Sequence, residues 1–263
     1  MDTYDVRNLI KTCQGVPWIP VAVAAGYIGF VKRYRSPTPG RNAGMDEEEV
    51  RLLLRAWNFA LMLFSIWGAW VTCPHLTTVY TLNACGPPPL LGEEGYAMGM
   101  FCMSKFVELI DTVFLAVRNR KISFLHSYHH ASVLLKTWML FVNTSSIGPV
   151  FVAMNYFVHM FLYAYYLASS FPKTAKAAKS VAPVVTSLQV VQMVFGIEVC
   201  FDALMRKAKG DVCLTSAWQI GIALCSYGVY LFLFSKLWID LYVPSSAKKG
   251  AATKRTTAEK KAK

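Results

Sequence analysis

Four of the chain's five histidines fall in two short stretches with mostly apolar neighbours. His126, His129 and His130 lie in FLHSYHHASVLL, and His159 lies in MNYFVHMFLY. An imidazole can act near neutral pH as nucleophile, general base or hydrogen-bond donor, and it is also a common metal ligand. On a helix turning about 100° per residue, His126, His129 and His130 fall within an arc of about 100°. Asn155, His159, Tyr163 and Tyr166 form a stripe at the spacing i, i+4, i+8, i+11. Lys105, Glu108 and Asp111 share a sector of about 120°, with Thr112 beside it. Thr186, Gln189 and Gln192 make a further polar set, and Asn58 stands alone near the start of an earlier apolar stretch.

The elements that must position these groups are membrane helices. Hydrophobic residues make up 55% of the 263 residues and charged residues 16%, against about 25% charged in soluble domains. The apolar residues come in blocks of about 20, the length a helix needs to cross roughly 30 Å of hydrocarbon. The reading is an all-α, polytopic membrane protein with seven transmembrane helices, at about 16–31, 53–73, 97–117, 123–142, 147–170, 181–203 and 215–241. The third is the least apolar, since it holds Lys105, Glu108 and Asp111, and a soluble amphipathic helix is its alternative reading. The first stretch, Val16 to Val31, lacks a charged n-region and a clear cleavage site, so it is expected to remain as a span.

The distribution of basic residues assigns the sides. Connections 32–55, 118–122 and 171–180 carry Lys and Arg, whereas 74–96 and 143–146 carry none. The first group is expected in the cytosol and the second in the lumen. Connection 204–214 disagrees, because Arg206, Lys207 and Lys209 fall on the luminal side with only Asp202 and Asp211 to offset them. Three regions emerge: a luminal N-terminal segment 1–15, a seven-helix domain 16–243, and a basic, disordered cytosolic tail 244–263. That tail supplies +6 of the net charge of +12; beside anionic lipid it suits a membrane surface. The body offers no basic face for nucleic acid. The ending Lys260-Lys261-Ala262-Lys263 resembles a dilysine retrieval signal of the endoplasmic reticulum. The sequon at Asn143 lies too near the membrane to expect modification.

A charge at a span's centre costs roughly 2.5–3.5 kcal/mol, so a cluster of polar groups there points to function. Counted from the expected cytosolic ends at about 1.5 Å per residue, the three histidines of FLHSYHH lie roughly 5–10 Å in. On the same count Glu108 and Asp111 lie roughly 10–15 Å in, Gln189 roughly 13 Å and His159 roughly 16 Å. Five helices therefore place polar groups in one layer. Single residues such as Asn58, Thr186 or Tyr166 would serve as well for joining helices. None of the seven cysteines forms a CxxC or zinc spacing. Cys85 and Cys213 both face the expected lumen and could pair. No metal ligand set is assigned.

Two chemistries suit the histidines. Di-iron membrane desaturases and hydroxylases carry about eight histidines in three boxes, and this chain has one box, although ligand arithmetic leaves a single-metal lipid hydroxylase or oxidase as an alternative. Metal-free acyl transfer on imidazole is the better match. A transporter would use the polar layer as a path, but would need polar faces reaching the luminal side, and spans five to seven are mostly apolar there.

The motifs themselves carry a resemblance. Ser104-Lys105-Phe106-Val107-Glu108-Leu109-Ile110-Asp111-Thr112 resembles the SKxxExxDT segment of the ELO family of fatty acid elongases, and FLHSYHH resembles its FLHxYHH box. Met154-Asn155-Tyr156-Phe157-Val158-His159 and Thr186-Ser187-Leu188-Gln189-Val190-Val191-Gln192-Met193 resemble two later blocks, and Trp57-Asn58 a weaker early one. Together they cover about residues 57 to 193 in family order. Lys121, where elongases of polyunsaturated chains usually have Gln, and the MNYxVH form point to the saturated and monounsaturated branch.

The resemblance implies condensation of an acyl-CoA with malonyl-CoA to 3-ketoacyl-CoA, CoA and carbon dioxide, with no bound cofactor. In this reading His129 attacks the thioester and His159 orients or shares the acyl group. His126 and His130 fix the tautomer or bind the malonyl thioester oxygen, supported by Asn155, Gln189 and Gln192. Lys105, Arg118 and Lys121 meet CoA phosphates or the malonyl carboxylate, Glu108 and Asp111 tune the charges, and Tyr163 lines the substrate. The acyl tail enters a tunnel between helices. Ketoacyl reductase, dehydratase and enoyl reductase activities are the expected partners in the same membrane.

Overall fold

A run of leucine, phenylalanine and tryptophan at helical spacing cannot face water, and it fixes how these helices are used. Leu52, Phe59, Leu63, Ile66 and Trp70 stand exposed along one helix, an apolar stripe that only lipid or another protein would cover. The chain is a multi-pass membrane protein. The computed structural model describes residues 4–38, 46–80 (for 75–80 the backbone only) and 84–243. The basic tail expected at 244–263 lies outside the described residues.

Among the described residues the fold is all helical: α1 (Arg7–Gln14), α2 (Ile19–Tyr34), α3 (Glu47–Tyr80), α4 (Gly92–Val107), α5 (Ile110–Val117), α6 (Phe124–Val142), α7 (Gly148–Ser169), α8 (Pro172–Ala208) and α9 (Ala217–Tyr242). Helices cover all seven expected spans. Four of them, α3, α7, α8 and α9, are long and apolar enough to cross a membrane, and α1 with α2 make a fifth candidate as a pair bent by 68°. The remaining two positions fall short for a reason already visible in the sequence. The histidines and Lys136 lower the hydropathy of α6, and the third expected span is broken.

That break corrects the sequence reading of a continuous helix over 97–117. Between α4 and α5 the chain tightens, with Leu109 N–H donating to Phe106 O (3.4 Å), Asp111 N–H to Glu108 O (3.1 Å) and Thr112 N–H to Leu109 O (3.1 Å). These i to i−3 bonds wind the chain more tightly than α-helix and rotate α5 relative to α4. Asp111 lines a large cavity among the helices, and Lys105 and Glu108 do not. A second correction concerns length: α8 extends beyond 181–203 at both ends, so Lys173, Lys176 and Lys179 sit on its first turns and Arg206 on its last.

The connections gather at two ends. At one end Val6 N–H donates to Leu90 O (3.0 Å), Ser145 meets Thr215 (2.9 Å), and a disulfide joins Cys85 to Cys213. Arg206, the charge that disagreed with its side, is paired there with Asp202 (2.8 Å) and Asp211 (3.7 Å). At the other end Ile122 N–H donates to Arg35 O (3.1 Å), Asn119 and Thr38 exchange hydrogen bonds (2.9 and 3.0 Å), and Arg55 donates to Ser170 O (3.0 Å).

Two close approaches set the helix packing. Gly68 of α3 lies against the ring of Tyr156 of α7, and Gly196 of α8 against the ring of Tyr227 of α9, so that a Cβ at either glycine would collide with the ring. Tyr156 is then held by its hydroxyl, which donates to Ala97 O on α4 (3.0 Å).

Candidate active site

Ser123 starts the site. It is the N-cap of α6, and its hydroxyl accepts from the backbone N–H of His126 at 3.1 Å, which pins the first turn that carries the three histidines. From the neighbouring helix, α7 brings His159 and its stripe to the same side. A single cavity of about 600 Å³ receives them: His126, His129, His130, Asn155, His159, Tyr163, Tyr166, Gln189 and Gln192 all line it, together with Asn58, Asp111 and Arg118. Leu54, Phe114, Leu125, Leu162, Met193 and Phe234 supply the apolar wall. The volume lies within the range of ligand sites, and the mix of mostly apolar wall with a few convergent polar groups is the usual composition of one.

The four imidazoles are held unequally. His126 Nε2 is 2.8 Å from the hydroxyl of Thr112, which is itself 3.0 Å from the hydroxyl of Tyr27. His159 Nε2 is 3.2 Å from Asn155 Nδ2. His130 stacks obliquely on His126, ring centres 4.3 Å apart. The ring of His129 packs edge-on to Tyr230 (5.0 Å) and Phe234 (5.9 Å), and its buried Nδ1 has no hydrogen-bond partner among the described residues. An imidazole held only by ring contacts keeps its nitrogens for an incoming group.

Asp111 closes the α5 side. Its two oxygens accept separately, Oδ1 from Trp57 Nε1 at 2.6 Å and Oδ2 from the Tyr163 hydroxyl at 3.1 Å. At the mouth, Arg51 and Arg118 line the cavity. Arg51 is occupied by Glu47 (2.8 Å) and Glu48 (2.7 Å). Arg118 has no salt bridge among the described residues. Partial burial, then the neighbouring Arg120 and Arg51, pull its guanidinium below the ordinary arginine pKa, a repulsion that an anion would relieve.

Lys105, Glu108 and Lys121, expected at the substrate, do not line this cavity. Lys121 is exposed. Lys105 and Glu108 are 2% and 4% exposed and bond each other at 2.7 Å. Among the described residues, no group of three or more His, Cys, Asp or Glu is placed to hold a metal ion. The sequence reading missed Tyr27 and the α9 wall of Phe234 and Leu237, because a tyrosine or phenylalanine in an apolar stretch gives no signal of what it faces. Arg51 was counted only as a basic residue of its connection. Trp57 adjoined the polar Asn58 in a recognised block, which could have flagged it as a partner for a buried carboxylate.

The sequence profile of the ELO: GNS1/SUR4 family matches residues 12–250. The chain is similar to "Fatty acid elongase 3" of Trypanosoma cruzi, 33% identical over 76% of each chain. It is also similar to "Fatty acid elongase 3" of Trypanosoma brucei brucei, 31% identical over 71% of this chain and 72% of that one. "Very long chain fatty acid elongase 6" of Drosophila melanogaster is 31% identical over 74% of this chain and 64% of its own length.

Proposed function

The chain belongs to the ELO: GNS1/SUR4 family, and from that premise we propose that it condenses an acyl-CoA with malonyl-CoA at the endoplasmic reticulum. The observation that carries the proposal is one cavity lined by all four of His126, His129, His130 and His159, with no hydrogen-bond partner at His129 Nδ1 among the described residues. A ring nitrogen of His129 attacks the thioester carbonyl carbon. The carbon–sulfur bond breaks and the imidazole proton passes to the departing thiolate, which gives an acyl-imidazole and free CoA. Malonyl-CoA then loses carbon dioxide, and the resulting enolate carbon attacks the acyl carbonyl. The carbon–nitrogen bond breaks, 3-ketoacyl-CoA is released, and the departing imidazole nitrogen takes up a proton from water, which restores His129. Decarboxylation generates the carbanion, so the protein's task is to hold the thioester and to donate hydrogen bonds to the enolate oxygen. Gln189, Gln192 and the remaining imidazoles are the donors at hand.

Arg118 at the mouth suits the phosphates of CoA. The acyl chain follows the apolar wall past Asn155 toward a smaller cavity lined by Met98, Phe101, Val133 and Phe151, where each buried methylene contributes about 0.8 kcal/mol. Saturated and monounsaturated chains are the proposed primers, on the strength of Lys121 and the MNYxVH block. Seven crossings, with the basic tail in the cytosol, fit the two groups of connections.

The test is purified protein in nanodiscs with radiolabelled malonyl-CoA and a ladder of acyl-CoA primers. Labelled 3-ketoacyl-CoA should appear, and His129→Ala should reduce it by on the order of 10³-fold with CoA binding retained. No product from any primer would overturn the assignment. Failure to trap acyl-enzyme without malonyl-CoA would remove the covalent step alone.

A further inference from the structure

Asn155 touches His159 with one amide atom and Lys105 with the other, and this settles a question that the histidine alone leaves open. The two ends of an Asn amide look alike in shape, and their identity follows from their partners. Lys105 Nζ can only donate, so the amide atom 3.1 Å from it is the oxygen, Oδ1. The atom 3.2 Å from His159 Nε2 is then Nδ2, which can only donate. Nε2 of a neutral His159 must therefore accept, and its proton must sit on Nδ1.

Lys105 is itself fixed. Its ammonium donates to Glu108 Oε1 at 2.7 Å and lies 4.0 Å from the centre of the Phe101 ring. Glu108 Oε1 also accepts from the Ser104 hydroxyl at 2.9 Å. The tight turn at 108–109 ends α4 at this residue. A buried ion pair is commonly no more stabilising than an apolar replacement, so its presence beside the cavity calls for a reason other than stability. Neither member lines the cavity, yet the pair holds Asn155, the cavity-lining amide that touches His159.

We propose that Glu108, Lys105 and Asn155 form a positioning relay that keeps His159 in the Nδ1-protonated tautomer, with Nε2 held as an acceptor. His159 then has its proton at Nδ1 to offer an oxygen of the substrate. His129, with no such relay, is the imidazole left to carry the acyl group. The division of roles between the two rests on the condensation reading above; the tautomer does not.

The experiment is two-bond proton–nitrogen correlation NMR on full-length protein labelled with nitrogen-15 at histidine, in nanodiscs, at a pH where the imidazoles are neutral. The His159 signals are identified by their loss in His159→Gln. The wild type should show one His159 tautomer, protonated at Nδ1; protonation at Nε2 overturns the proposal. Lys105→Met with Glu108→Gln removes the anchor without a net charge change, and the His159 signals should then divide between both tautomers. In parallel, kcat should fall by on the order of 10²-fold or more with KM for acyl-CoA little changed, as misplaced tautomers do elsewhere. A double variant that keeps a single Nδ1 signal also overturns it. If that variant does not fold, Asn155→Leu replaces it, with the same two outcomes. An inactive wild type with the Nδ1 signal would sink the elongase assignment and leave the relay standing, and an active one with the Nε2 signal would do the reverse.

Discussion

Lys105 and Lys136 are both buried among the helices, 2% and 7% exposed, and each lies over an aromatic ring at 4.0 Å, but Lys105 adds oxygen partners. Lys105 meets directional oxygen partners, Glu108 at 2.7 Å and Asn155 at 3.1 Å. Lys136 meets aromatic faces instead, with Nζ 4.0 Å from the centre of Tyr227, 4.8 Å from Tyr230 and 5.8 Å from Phe151. A carboxylate and an amide oxygen fix an ammonium to a point and pass that position on. Ring faces stabilise the charge by about 0.5–2 kcal/mol each but hold it loosely. The difference separates a charge that positions its neighbours from one that the bundle merely accepts.

The comparison can be broken in four ways. Lys105→Met leaves the buried Glu108 carboxylate without its ammonium partner and should cost about 3–5 kcal/mol. Thermal unfolding in nanodiscs measures it, and a loss below about 1 kcal/mol would mean that Glu108 takes a proton or water freely. Gly196→Ala should cost about 1–3 kcal/mol by overpacking, since the new methyl displaces Tyr227 from the cage of Lys136. A fully native melting temperature would show that the ring moves without loss. Adding Glu108→Gln to Lys105→Met removes the unpaired charge and should return stability to within about 1–2 kcal/mol of the parent, with activity still low. Recovery of activity along with stability would make the pair structural only. Lys136→Met is the mildest, at about 1 kcal/mol in either direction, because a flexible apolar chain of similar length fills the same space. A collapse comparable to that of Lys105→Met would erase the distinction between the two lysines.

The same contrast bears on what the sequence could reveal. Lys105 stood out because Glu108 and Asp111 succeed it at helical spacing and an ELO-like motif encloses all three. Lys136 showed as a charge inside an apolar span, but not what surrounds it, since its aromatic partners come from α7 and α9, well separated in the chain. The histidine layer was legible because polar groups in hydrocarbon are rare and each set kept to one helical face. The break at Glu108–Leu109 was not, since both residues also propagate an ordinary helix.

Composition, hydropathy blocks and motif order by themselves determined a helical membrane protein of the elongase family with its imidazoles near one end, because membrane solvation constrains every residue locally. Only the tertiary structure decided which polar groups face the cavity, which pair with one another behind it, and which histidine keeps its nitrogens unclaimed. Those outcomes depend on rotations of one helix against another by a fraction of a turn, and a spacing along one chain carries no record of that angle.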